Sequence, residues 1–185
     1  MLIKPEQTIS RRKFLGRSPS MKAISWEVFQ SQRGDGVYGQ FRLAWGADCI
    51  TIHALDQTRK DYEYEYLEKL DKIIEALKGY APVLGTKNHA SYREWLNPIE
   101  TGATGSLAYH YDVVSPENLI FFELASCDGK VRIYPHHFGR QPLRKMQSCL
   151  DAIRVELVNH RASFVLLMKA IESVKNSYTE QNKVV

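Results

Sequence analysis

His110 and Asp112 stand two residues apart in 107–113, a run in which apolar and polar positions alternate. Residues i and i+2 of a strand project from one side, so an imidazole and a carboxylate would share a face there. His53 sits at a polar position of another alternating run, and His136 follows a third, close to Arg132 and Tyr134. Together with Arg42, these residues could build a site for an anionic substrate. Histidine would carry the proton, aspartate would orient it, and arginine would hold negative charge. The condition is that their strands be neighbours and leave that face open. The catalytic candidates are therefore His110, Asp112, His53 and His136, with Arg42, Arg132 and Tyr134 as binding candidates.

Other chemistries have no comparable spacing. H-E-x-x-H, paired C-x-x-C, a P-loop and G-x-S-x-G are all missing from the chain. The zinc, phosphate-cradle and acyl-transfer readings thus lack their motifs, and neither a metal nor a cofactor is expected. Cys49, Cys127 and Cys149 are odd in number and widely spaced, which reads as reduced thiols in a cytoplasmic protein. No stretch approaches the roughly 20 apolar residues of a membrane span.

The formal net charge of +4 is localised. Lys4, Arg11, Arg12, Lys13 and Arg17 face only Glu6 within residues 1–21, so 22–185 nets zero. A neutral body exerts no long-range pull on polyanions. Residues 1–21 are expected to form a disordered basic arm. Arg11, Arg12, Lys13 and Arg17 would give weak, salt-sensitive contact with an anionic partner, nucleic acid included. Ser10-Arg11-Arg12-Lys13-Phe14-Leu15 has the look of a twin-arginine export signal, yet the apolar run such a signal requires is replaced by Arg17, Ser18, Pro19, Ser20 and Lys22.

The elements that would position these residues come in two similar sets. Ile24, Trp26 and Val28 alternate with polar neighbours, Asp35-Gly36 offers a hairpin turn, and Val37, Phe41, Leu43 and Trp45 line one face of the next run. Residues 49–55 add a third strand. A helix over 58–78 follows, with the stripe Tyr66, Leu70, Ile73, Ile74 and Leu77 and with Gly79 as its stop. Tyr62-Glu63-Tyr64-Glu65-Tyr66 also has strand period, but the unbroken stripe favours helix. Residues 80–105 are irregular. Runs at 107–113, 119–125 and 131–134 make a second meander.

The strongest pattern is the last. From Leu143 to Tyr178, eleven positions recur at alternating spacings of three and four, and only His160 among them is neither apolar nor aromatic. That is the seam of a long buried helix over 142–178, with His160 a core or interface histidine. One helix of that length spans about 55 Å, whereas a compact body of this size is about 40 Å across. The seam's far end would therefore overhang.

The expected fold is α+β: residues 22–185 as one domain, a two-layer sandwich with a mainly antiparallel six-stranded sheet in the order βββα-βββα and both helices on one face. Packing dominates the pattern and no reactive constellation is concentrated. The expected function is accordingly non-enzymatic binding or regulation through protein contacts, as a homodimer joined at Phe164, Leu167, Ile171, Val174 and Tyr178. The alternative is a small enzyme acting on a phosphoester or other anionic substrate at the open sheet face.

Overall fold

A computed structural model of the chain describes residues 8–15, 22–30, 36–54, 61–83, 92–94, 108–111, 122–126 and 129–181. Eight strands and two long helices account for nearly all of them. The first four strands are β1 (Thr8–Phe14), β2 (Lys22–Gln30), β3 (Val37–Trp45) and β4 (Asp48–His53), paired antiparallel in that order. The sequence alternation sets the faces. Ile24, Trp26, Val28, Phe41, Leu43, Ile50 and Ile52 are buried on one side, and the residues between them form the outward side.

Helix α1 (Tyr62–Val83) begins with the Glu65 amide bonded to the Asp61 carbonyl. Tyr62 and Tyr66 are buried and Tyr64 is exposed, the i, i+4 spacing of a helix rather than the alternation of a strand. It runs through Gly79, where an end was expected; a helical glycine costs only about 1 kcal/mol against alanine. Strands β5 (Tyr92–Glu94), β6 (Ala108–Tyr111), β7 (Phe122–Ser126) and β8 (Gly129–Ile133) make a second antiparallel sheet in sequence order. A short 3-10 turn, Pro135–Phe138, leads into α2, a single helix over Pro142–Gln181.

The class is α+β, but the sheet arrangement differs from the expected six-stranded layer. Two four-stranded sheets form, because Thr8–Phe14 and Tyr92–Glu94 each add a strand and the second meander pairs only with itself. Apolar alternation fixes which face is buried and carries no information about which edge a strand joins. Thr8–Phe14, expected in a disordered arm, pairs with β2 along its whole length.

One core unites the parts: Phe122, Leu124, Val131 and Ile133 of the second sheet join Leu70, Ile73 and Leu77 of α1 and Met146, Ile153 and Leu157 of α2. β7 and β8 lie against β4. The contact is close enough that a Cβ on Gly129, whose φ is +150°, would sit 2.7 Å from the Cys49 carbonyl oxygen. Gly39 lies on the buried face of β3. A Cβ there would stand 2.7 Å from the Phe164 ring and 2.9 Å from that of Tyr66, so its absence lets both helices close onto β3.

Candidate functional site

The outward face of the first sheet is a grid read directly from strand register. One row is Arg12, Ser25, Arg42 and Thr51; the next is Ser10, Glu27, Gln40 and His53. Beyond them Phe29 and Tyr38 pair their rings at 4.8 Å. On the other side lie Phe14, Ala23, Ala44 and Cys49. A shallow depression of about 360 Å³ is lined by Ser10, Arg11, Arg12, Ser25, Trp26, Glu27, Gln40 and Arg42. Two neighbours hold the arginines in place. The Arg42 Nε–H donates to Cys49 Sγ at 2.9 Å, a contact that raises the guanidinium pKa. The Arg12 guanidinium lies 5.2 Å from the centre of the Phe14 ring. Burial, then the charge of Glu27, raises the Tyr38 hydroxyl above its ordinary value.

Of the residues singled out from the sequence, Arg12, Arg42 and His53 thus share the outward face of the first sheet. The others lie elsewhere. His110 and Arg132 fall in one register row of the second sheet with Arg93 and Glu123. Asp112 and Arg17 lie outside the described residues. Tyr134 and His136 belong to an aromatic cluster at the start of α2. Their rings stack at 5.1 Å, and His137 accepts from the Trp45 indole N–H at 3.0 Å. The Lys22 ammonium stands 4.2 Å over Trp45. Trp45 faces the core side of the first sheet, so this cluster is on the side away from Arg42 and His53. Burial lowers the His137 pKa, helped by His136 and Lys22. Among the described residues, no three His, Cys, Asp or Glu side chains gather as metal ligands.

Two fully buried polar groups on α2 form an unexpected interior chain. Glu156 accepts from the Trp26 indole N–H at 3.2 Å, and its two oxygens meet Arg11 Nε at 3.2 Å and Lys13 Nζ at 3.4 Å. One turn on, His160 Nε2 lies 2.6 Å from the Tyr66 hydroxyl, which donates to the Ile52 carbonyl at 3.3 Å. The ring's tautomer sets which of the two donates across the 2.6 Å contact, and Nδ1 is buried without a hydrogen-bond partner among the described residues. Burial pulls the His160 pKa down to about 4, so the ring is neutral near pH 7. His160 is a core histidine, one of the two placements expected. Glu156 gave no signal in the sequence, because it flanks the apolar seam at a position that reads as solvent. Arg11 and Lys13, expected as free cations, have this buried carboxylate as their partner.

The far end of α2 makes a different surface. Phe164 and Leu167 are covered within the chain, with Phe164 against Tyr66, so they are not available to a second subunit. Ile171 is half-buried, while Val174 and Tyr178 are 49% and 65% exposed. These last two also end a second line of apolar side chains: Val158, Ala162, Leu166, Ala170, Val174 and Tyr178 recur at every fourth residue, all exposed. A seam drawn at alternating threes and fours meets this row only at Val174 and Tyr178, so sequence reasoning missed its first four members. No described helix is long and apolar enough to cross a membrane. Comparisons with protein-family models, curated proteins and solved structures gave no match.

Proposed function

We propose that the protein is a non-enzymatic binding or regulatory protein that works through protein contacts as a homodimer, joined along the outer row of α2. The observation that carries this reading is the unbroken exposed row Val158, Ala162, Leu166, Ala170, Val174 and Tyr178. Rows at i±4 are the ridges that interlock in the commonest helix packing, with axes crossing at about −50°. The row turns about 40° round the axis at each step, so its central members Ala162, Leu166, Ala170 and Val174 are the ones a crossing partner meets. Large and small side chains alternate along it, Val, Ala, Leu, Ala, Val. Under a two-fold axis the large groups of one copy meet the alanines of the other, which favours a second copy of this chain as occupant. Lys169, Ser173 and Ser177 on one flank and Asn159 and Lys175 on the other supply a polar rim. The proposed interface keeps Val174 and Tyr178 from the sequence expectation and exchanges Phe164, Leu167 and Ile171 for Val158 and Leu166. The free thiols Cys49 and Cys149 agree with a reducing, cytoplasmic setting.

Sedimentation velocity tests the reading. The unmodified chain should sediment as a dimer at micromolar concentration. Leu166→Asp combined with Val174→Asp should sediment as a monomer with an unchanged far-ultraviolet dichroism spectrum, since neither side chain is buried in the protomer. A monomeric unmodified protein well above micromolar concentration, or a variant that stays dimeric, overturns it.

A further inference from the structure

We propose that the outward face of the first sheet binds a small phosphate monoester, the phosphate held between Arg12 and Arg42 above Ser25. The site is independent of the helix ridge. Register places Arg12, Ser25 and Arg42 side by side on three adjacent strands. At the usual strand spacing the two arginine backbones are therefore about 10 Å apart. Turned inward from Phe14 and Cys49, the two guanidinium groups can each present a pair of N–H donors to one phosphate, the geometry in which arginine surpasses lysine.

The floor between them is low. Ser25 lies in the row itself, and Ala23 and Ala44 lie beside it, so nothing bulky fills the space between the two cations. Ser25 adds a hydroxyl that can donate to a phosphate oxygen. Both arginines are exposed, and among the described residues neither forms an ion pair with a carboxylate. Among the described residues their recorded contacts are the Phe14 ring and the Cys49 sulfur, neither of them a carboxylate.

The neighbouring row decides what the phosphate is attached to. Glu27 and Gln40 stand beside Ser10 and His53, so acceptors border the cationic row. Acceptors at that distance suit hydroxyl groups on the carbon skeleton next to the phosphate, and the carboxylate disfavours a second phosphate. The depression of about 360 Å³ falls at the small end of ligand sites, matching a sugar-sized phosphate ester rather than a polymer.

Titration calorimetry of the full chain with ribose 5-phosphate, inorganic phosphate and ribose tests the proposal. Ribose 5-phosphate should bind more tightly than inorganic phosphate, inorganic phosphate should compete with it, and ribose should not bind. Arg12→Gln and Arg42→Gln should each weaken binding by about tenfold or more, the loss of a charge-assisted contact. Lys130→Gln, an exposed charge on the other sheet, should leave it unchanged. Arg42→Lys retains charge without the planar fork and should weaken binding at unaltered dichroism. No binding of either phosphate probe, or equal losses in Lys130→Gln and the arginine variants, overturns the site. Equal affinity for inorganic phosphate and the ester overturns the assignment of an ester.

Discussion

His160 shows what one buried side chain does to the acid behaviour of the whole protein. Its ring has no exposed surface and stays neutral, with the folded pKa drawn down to about 4 from the ordinary 6.5. Between those values the unfolded chain binds a proton that the folded chain refuses, so stability falls with pH there. The contribution is fully present above pH 6.5 and is lost progressively toward pH 4, amounting to roughly 3 kcal/mol by the linkage arithmetic. Urea unfolding of the unmodified protein at pH 7 and pH 4.5 should show a larger drop than the same pair of measurements on His160→Leu. Identical drops would mean that His160 is not the group responsible. The seam made this residue legible as a helix-face histidine. Its neutrality was not legible, because that depends on Trp26 and Phe41 from distant strands closing over the ring, at centroid distances of 5.4 and 5.9 Å. Cys149 shows the same effect: burial pushes its thiol up to about 12, which keeps it unreactive.

The elements differ in how they are stabilised. Helix α2 was visible from its repeat because ten apolar residues in register leave few alternatives to a buried helix face. β1 was not visible. Thr8–Phe14 carries three consecutive cations, and its docking depends on Glu156, which lies 145 residues beyond Arg11 in the chain. A fully buried carboxylate is costly unless paired, and removing either side of such a pair is costly too. Glu156→Gln should therefore loosen β1 in particular, leaving Arg11 and Lys13 with a neutral amide. Trypsin should then cut at Arg11, Arg12 and Lys13 several-fold faster, followed by mass spectrometry, while α2 is retained. Unchanged cleavage at these three sites would show that backbone pairing with β2 alone holds the strand.

At the scale of the molecule, the sequence foretold the α+β class, both meanders and the length of the last helix, and it failed on how the strands are shared out. Two sheets with one common core require β7 and β8 to meet β4 at Gly129, a contact with no signature in alternation. The candidate site was half legible for the same reason. Arg42 and His53 share a face because adjacent strands enforce it, whereas His110 and Arg132 belong to the other sheet. If α2 pairs with its own copy, stability becomes coupled to concentration. The melting temperature of the unmodified chain should rise across a hundredfold dilution series read from dilute to concentrated, and that of Leu166→Asp with Val174→Asp should stay flat. The terminal strand of the first sheet bears on which surface can associate. An edge strand invites another chain to add alongside it, and lysine or arginine at the edge is a recurrent guard against such growth. Arg11, Arg12 and Lys13 lie on that edge. The cluster that reads as a targeting or polyanion signal thus also guards the fold against open-ended, fibre-like extension of its first sheet.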